Sequence, residues 1–406
     1  MYTRVMKPFT ASTLPIQSPD RGLFHANYLA LLLLSLHWAC ILYVNSSYLE
    51  QFVTSQVTSV LYMISALLTI GVFLSAPKIL NKVGNIRLLL ISTVIEFAVL
   101  LGMAFTQSFY IALILFVIHQ AIVPLLLFSL DVIIETLNDT HEDSTGSQRG
   151  LLLTIMSITT AVAPLFIGYM ISDSGHPDFA LAYIAGAFFL LPFFIVIYSQ
   201  FRTFPDPLYK QLHLTEALRD FWRQRDIRNV FCAHFLLQLF FSWMVIYTPL
   251  YLAQVIGFEW DVIGTILFVG LMAYVFLEYG IGVIADKYIG EKEMMAFGFA
   301  VIAISTSWFV FLDDSSVTMW MIAMFMTRVG ASFIETTTES YFFKHTRGMD
   351  SSLISLFRIT RPLSYVIGAF LGAIALYLFP FPFLFVVLGA LMLPGLFFAM
   401  ALKDTK

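Results

Sequence analysis

Charge is what this chain has least of. Of its 406 residues only 12% are charged, against about 25% in an average soluble domain. There are two cysteines, Cys40 and Cys232, both inside apolar runs. They offer neither a disulfide framework nor metal-ligand spacing. No G-x-x-x-x-G-K-[ST] loop is present, so the chain does not cradle a nucleotide phosphate in that way. No His/Cys cluster and no nucleophile elbow stands anywhere, and no loop is long enough to fold as a catalytic domain. The expectation is a non-enzyme with no cofactor and no metal. A net charge of −4 gives no basic surface for nucleic acid.

What is abundant is apolar sequence: 59% hydrophobic residues and a mean hydropathy of +0.85. A single interior cannot hide so much apolar surface, and the runs are long. A membrane span takes about 20 residues, and twelve runs qualify. They lie near Asn27–Leu49, Ser55–Leu80, Ile86–Phe105, Phe109–Thr136, Gly150–Ile171, Phe179–Phe201, Val230–Val255, Val262–Ala285, Met294–Leu312, Val317–Phe343, Ser351–Leu378 and Pro382–Leu402. The stretch before the first run, Met1–His25, is polar and does not read as a cleavable signal. Of the 22 lysines and arginines, Arg328, Arg358 and Arg361 fall within spans. All the others fall on one side once both termini are placed in the cytoplasm, as the positive-inside rule requires. The expectation is a multi-pass protein of the cell (inner) membrane with both termini cytoplasmic.

The connection Thr203–Asn229 is the longest. Pro205 and Pro207 end the preceding helix, and Leu214, Leu218 and Phe221 mark an amphipathic surface helix. It divides the chain into a first half, 1–202, a linker, 203–229, and a second half, 230–406. The halves echo one another. Ile41-Leu42-Tyr43 pairs with Val245-Ile246-Tyr247. Asn81-Lys82-Val83-Gly84 pairs with Asp286-Lys287-Tyr288-Ile289-Gly290, one residue longer. Ile134-Glu135-Thr136 pairs with Ile334-Glu335-Thr336. Repeated halves around a midplane site are the architecture of secondary transporters. The fold expected is an all-α membrane protein, twelve transmembrane helices in two pseudo-symmetric six-helix halves.

Charges inside spans are costly, about 2.5–3.5 kcal/mol each at the helix centre, so they mark candidate sites. Arg328, Ser332, Glu335 and Glu339 fall on one stripe of span 10. Arg358 in span 11 lies at the depth of Glu335, and Arg361 is one turn deeper. Glu335 with Arg358 reads as an ion pair, either static or part of the working site. Arg328 and Arg361 are the candidates for contacting an anionic solute. Asp131, Glu335 and Glu278 are the candidate proton carriers, because crowded carboxylates shift one another's titration. Glu96, in mid-span 3, reads as a packing bond. His37 and His119 are candidate contacts for an organic solute or a proton, and Gln238 and Tyr247 add polar contacts for the solute. Asn45-Ser46-Ser47 matches a glycosylation sequon but abuts the membrane.

Twelve spans, a six-plus-six repeat and Gly282-Val283-Ile284-Ala285-Asp286-Lys287 followed by Gly290 resemble the major facilitator superfamily. In that family's loop motif a glycine and an aspartate precede a basic residue and a further glycine. Glu291 stands where a base is usual, and in the first half Pro77 and Asn81 replace the glycine and the aspartate. The resemblance implies a cavity bordered by spans 1, 4, 7 and 10, alternating access, and a gating contact between Asp286 and Arg149. It implies a small-molecule solute and lipid as partners, and the plentiful buried carboxylates add protons. We expect a monomer, with proton-coupled export of a small organic solute ahead of sugar or organic-anion symport, and a receptor or lipid scramblase as the rival of another class.

Overall fold

The computed structural model describes residues 21–138, 145–172, 177–204, 219, 221–313, 316–345 and 351–403. These residues are helical and contain no strand. The helices carry the numbers of the expected spans. In the first half they are α1 (Arg21–Leu42), α2 (Ser55–Val83), α3 (Asn85–Phe105), α4 (Phe109–Asn138), α5 (Thr145–Ile171) and α6 (Phe179–Phe201). In the second they are α7 (Arg225–Leu250), α8 (Trp260–Ile284), α9 (Glu291–Ser307), α10 (Val317–His345), α11 (Ser351–Leu378) and α12, which continues across a break from Phe383–Met392 to Pro394–Met400. Eleven are long and apolar enough to cross a membrane, and α5 adds a shorter apolar stretch at Ile155–Ile171. Large apolar side chains such as Ile114, Phe166, Ile195, Phe276 and Ile304 stand on the outer surface, where lipid replaces water as solvent. The expected amphipathic helix of the linker falls almost wholly outside the described residues.

The duplication is visible in the packing. In the first half α1 packs on α5 and α6, α2 on α4, and α3 on α4 and α6. Adding six to each number gives the packing of the second half: α7 on α11 and α12, α8 on α10, and α9 on α10 and α12. The halves meet through α2 against α11 and α5 against α8, two contacts that exchange under the same shift. The bundle therefore has a pseudo-twofold axis between the halves.

The loop repeat shows how the extra residue is absorbed. Gly84 closes α2 at φ 85° and ψ 150°, and Gly290 holds the equivalent place at φ 90° and ψ 164°. Only glycine adopts that region at little cost. In the second half the five residues Ala285–Ile289 wind as a π-helix, the form a one-residue insertion takes inside a helix. Glu291, the acid where the resemblance expects a base, opens α9 and accepts a hydrogen bond from Ser340 Oγ at 3.0 Å.

Span 1 differs from its expected extent. The helix ends at Leu42 and a separate turn of helix covers Asn45–Leu49. The cause is lateral bonding: Asn45 is drawn to α4 and α6, with its Nδ2 at 3.3 Å from His119 Nε2 and its Oδ1 accepting from Tyr183 OH at 2.9 Å. Asn45, Ser46 and Ser47 are buried, so the sequon is packed inside the bundle.

Candidate functional site

Twelve successive helices bring the start of α1 and the end of α12 to one face of the bundle, called here the terminal face. The opposite, distal face joins the halves tightly. Ser59 Oγ of α2 and Tyr247 OH of α7 stand 2.7 Å apart. Gln254 donates through Nε2 to Glu50. The helices α5 and α8 cross backbone on backbone: a β-carbon built on Gly168 would stand 3.0 Å from Gly264 Cα and closer still to the Trp260 carbonyl. Tyr247, a sequence candidate for solute contact, is fully buried in this seal.

Glu50 lies outside the spans, which makes its titration part of the seal. Burial pushes its carboxyl above the usual value, while hydrogen bonds from Ser55 and Gln254 pull it down less strongly. Opening the distal face hydrates the group and returns it toward its ordinary value. A carboxyl whose pKa is higher in the closed state binds a proton on closing. Acid therefore favours closure. The preference is full below the open-state pKa and is lost as pH rises through the closed-state one. We expect Glu50→Gln to remove this pH dependence. Thiol labelling of Thr58→Cys, buried beneath the same seal, measures it; an unchanged pH profile rejects the assignment.

Midway through the bundle the halves face each other across polar and aromatic groups. Arg361 of α11 is exposed although it sits inside a span, and its guanidinium lies over the Trp38 ring of α1, 5.1 Å from the centroid. Tyr62 of α2 and Tyr365 of α11 approach at 6.3 Å between ring centroids. On α7, Gln238 Nε2 lies 3.3 Å from His234 Nε2, whose other ring nitrogen lies 3.3 Å from Thr338 Oγ1 of α10. The His234 ring stacks on Phe357 at 4.1 Å.

Arg328 is placed differently from Arg361. It is 2% exposed, lies over the Phe240 ring at 5.4 Å and hydrogen-bonds Tyr43. Its Nε and Nη1 have no hydrogen-bond partner among the described residues. Two arginines that sequence depth treated alike thus divide: Arg361 is exposed, and Arg328 is enclosed. Glu278, Glu335 and Glu339 are half-buried on α8 and α10. Glu335 is electrostatically linked to the other two carboxylates and to Arg361 and Arg328, and Glu278 hydrogen-bonds Ser157 of α5 across the halves. The side chains of Asp131, Glu135, Arg149, Asp286 and Arg358 lie outside the described residues, so the gating contact and the Glu335–Arg358 pair do too.

His37 and His119 do not face this central space. Both are enclosed within the first half with Glu96. His119 Nδ1 is 2.5 Å from Glu96 Oε1, and His37 Nε2 is 3.5 Å from the same oxygen. Sequence reading missed His234 and Trp38. His234 precedes Gln238 by four residues, which places both on one stripe of α7. For Trp38 no sequence signal separates it from the many other aromatics. Among the described residues no His, Cys, Asp and Glu group has the geometry to hold a metal.

Two repeated six-helix halves, sealed at one face and meeting around buried charge at mid-depth, define a membrane transporter fold. The sequence profile described as Major Facilitator Superfamily matches residues 28–346 and, separately, 230–406. The chain belongs to the Major Facilitator Superfamily, whose members take a small-molecule solute across a lipid bilayer. Among solved structures it is similar to the nucleoside transporter NupG, with a TM-score of 0.72 at 13% identity, covering 93% of this chain and 98% of that one. The D323A mutant of NupG gives 0.71 at 13% identity, covering 93% and 99%. No curated protein matches the chain in sequence.

Proposed function

We propose that the chain is a proton-coupled secondary transporter of a small organic anion with a planar apolar part, and not an enzyme. The observation that carries this is Arg361: a guanidinium inside a span, open to solvent, lying over a tryptophan of the opposite half. A carboxylate or similar anion accepts paired hydrogen bonds from such a group. Trp38 and Tyr365, both only partly buried, supply apolar faces for the rest of the solute. At 13% identity the likeness to a nucleoside transporter supports the fold alone, so the solute class rests on this chain's own residues.

The halves 1–202 and 230–406 rock about this space as two bodies joined by 203–229, and the closed distal face is one end state of the cycle. The one-sided basic residues support a cytoplasmic terminal face in the cell membrane, and the reading is of a protein that works as a monomer. Glu335, electrostatically linked to Arg361 and to Glu278, and Glu278 itself are the groups we assign to proton exchange as the solute's charge arrives or leaves. Export is the direction favoured over uptake, because no sugar-specific pattern is present. Purified protein in sealed vesicles tests the reading with a panel of organic anions, benzoate among them, and neutral sugars as controls. Anion flux that dissipates an imposed pH gradient is expected. Lipid crossing without any solute flux overturns it in favour of a scramblase.

A further inference from the structure

We propose that His37, Glu96 and His119 form a single-proton binding site enclosed in the first half, separate from the carboxylates around Arg361. The proposal rests on the proton-coupled reading above and assigns the residues that hold a coupled proton.

The argument is a count of hydrogens along a chain of bonds. Tyr183 OH donates to Asn45 Oδ1 at 2.9 Å. A carboxylate only accepts, so His119 Nδ1 turns its hydrogen to Glu96 and its Nε2 accepts from Asn45 Nδ2 at 3.3 Å. A ring nitrogen that accepts carries no hydrogen, so the neutral His119 ring bears its hydrogen on Nδ1. That hydrogen points at Glu96 Oε1, 2.5 Å away. On the other side, His37 Nδ1 is 3.2 Å from the Gly186 carbonyl. A carbonyl only accepts, so the neutral His37 ring bears its hydrogen on Nδ1. Its Nε2 is then bare, and it stands 3.5 Å from the same Glu96 Oε1 with no hydrogen bond of its own. Two acceptors face each other with nothing between them. Glu96 Oε2 is buried and has no partner either.

Leaving such groups unsatisfied in an apolar interior is costly, and more so when they are charged. One added proton removes the conflict. On His37 Nε2 it makes an imidazolium against a carboxylate. On Glu96 it makes a carboxyl that donates to the bare ring nitrogen. In either form the cluster becomes neutral overall and the gap is bridged. The proton comes from water and no covalent bond is exchanged.

The site is closed to solvent, with His37 and Glu96 at 0% exposure and His119 at 1%. The proton therefore enters or leaves only when a neighbouring helix shifts. That helix is α1, which joins the site to the solute space: Trp38, next to His37, lies under Arg361, and Tyr43 bonds Arg328. The titratable groups facing the cluster are Glu96 of α3, His119 of α4, Tyr183 of α6, Tyr48 of the short helix, whose ring packs on Tyr183 at 4.9 Å, and Tyr62 of α2, which acts on Tyr183. Between Ile155 and Ile171, α5 carries no charged residue.

Full-length protein in nanodiscs, labelled with ¹⁵N-histidine and ¹³C-glutamate, reads the protons directly. The signals of the eight histidines are assigned with His37→Gln and His119→Gln. The result expected is His119 held with hydrogen on Nδ1, and one protonation step shared by the His37 ring and the Glu96 carboxyl as pH falls. Glu96→Gln should abolish the His37 step. Should that variant not fold, the wild-type titration decides alone. If neither group changes protonation from acid to alkaline pH, or if the His37 step survives in folded Glu96→Gln, the proposal is overturned. A loss of anion flux with the titration intact would instead count against the transport reading.

Discussion

Arg361→Leu is expected to cut transport of an organic anion by about 10- to 100-fold while leaving the melting temperature of the purified protein nearly unchanged. The size follows from charge-assisted hydrogen bonds, worth about 1.5–3 kcal/mol each. The small stability effect follows from exposure, because a solvated side chain gives up little packing when it is removed. Arg361→Lys should recover part of the activity, since a point charge remains but the planar fork that binds both oxygens is lost. Arg328→Met provides the contrast. Its side chain is enclosed between Phe240 and Tyr43, so this variant should lower the melting temperature or the yield of folded protein. Flux and thermal melting of the three variants check the division. If Arg361→Leu transports as the parent does, the solute does not use this guanidinium.

The second large effect belongs to the crossing of α5 and α8. Gly168→Leu and Gly264→Leu each place a branched side chain where only backbone atoms of the other half stand. No flexible side chain is available to yield. Overpacking of this kind costs about 1–3 kcal/mol, and it acts only on the closed state. Each variant should shift the protein toward an open distal face, by about 5- to 150-fold in the equilibrium. Net transport should be lost with the fold retained. A cysteine at position 58, in a background lacking Cys40 and Cys232, should become reactive toward a membrane-impermeant thiol reagent. Labelling unchanged from the parent would mean that the crossing does not control access.

Much of the architecture was legible because a membrane simplifies folding. Span length is set by bilayer thickness, and every spanning backbone must satisfy its own hydrogen bonds. Twelve apolar runs therefore had to become helices, and the matching loop sequences at Gly84 and Gly290 announced the repeat. The helix count, the paired halves and the family all follow from residues read in order. The break after Leu42 did not, because it depends on Asn45 reaching His119 and Tyr183 from elsewhere in the chain.

The candidate sites divide along the same line. Sequence alone marks which residues are costly in a membrane, since a charge or an imidazole in an apolar run stands out whatever surrounds it. It does not say which way a side chain points, because that depends on helix rotation and on neighbours brought in from other helices. Only the tertiary structure turned Arg361 toward Trp38 and enclosed Arg328 beside Tyr43. It placed Tyr247 in the distal seal, and joined His37 and His119 through Glu96 in the interior of the first half.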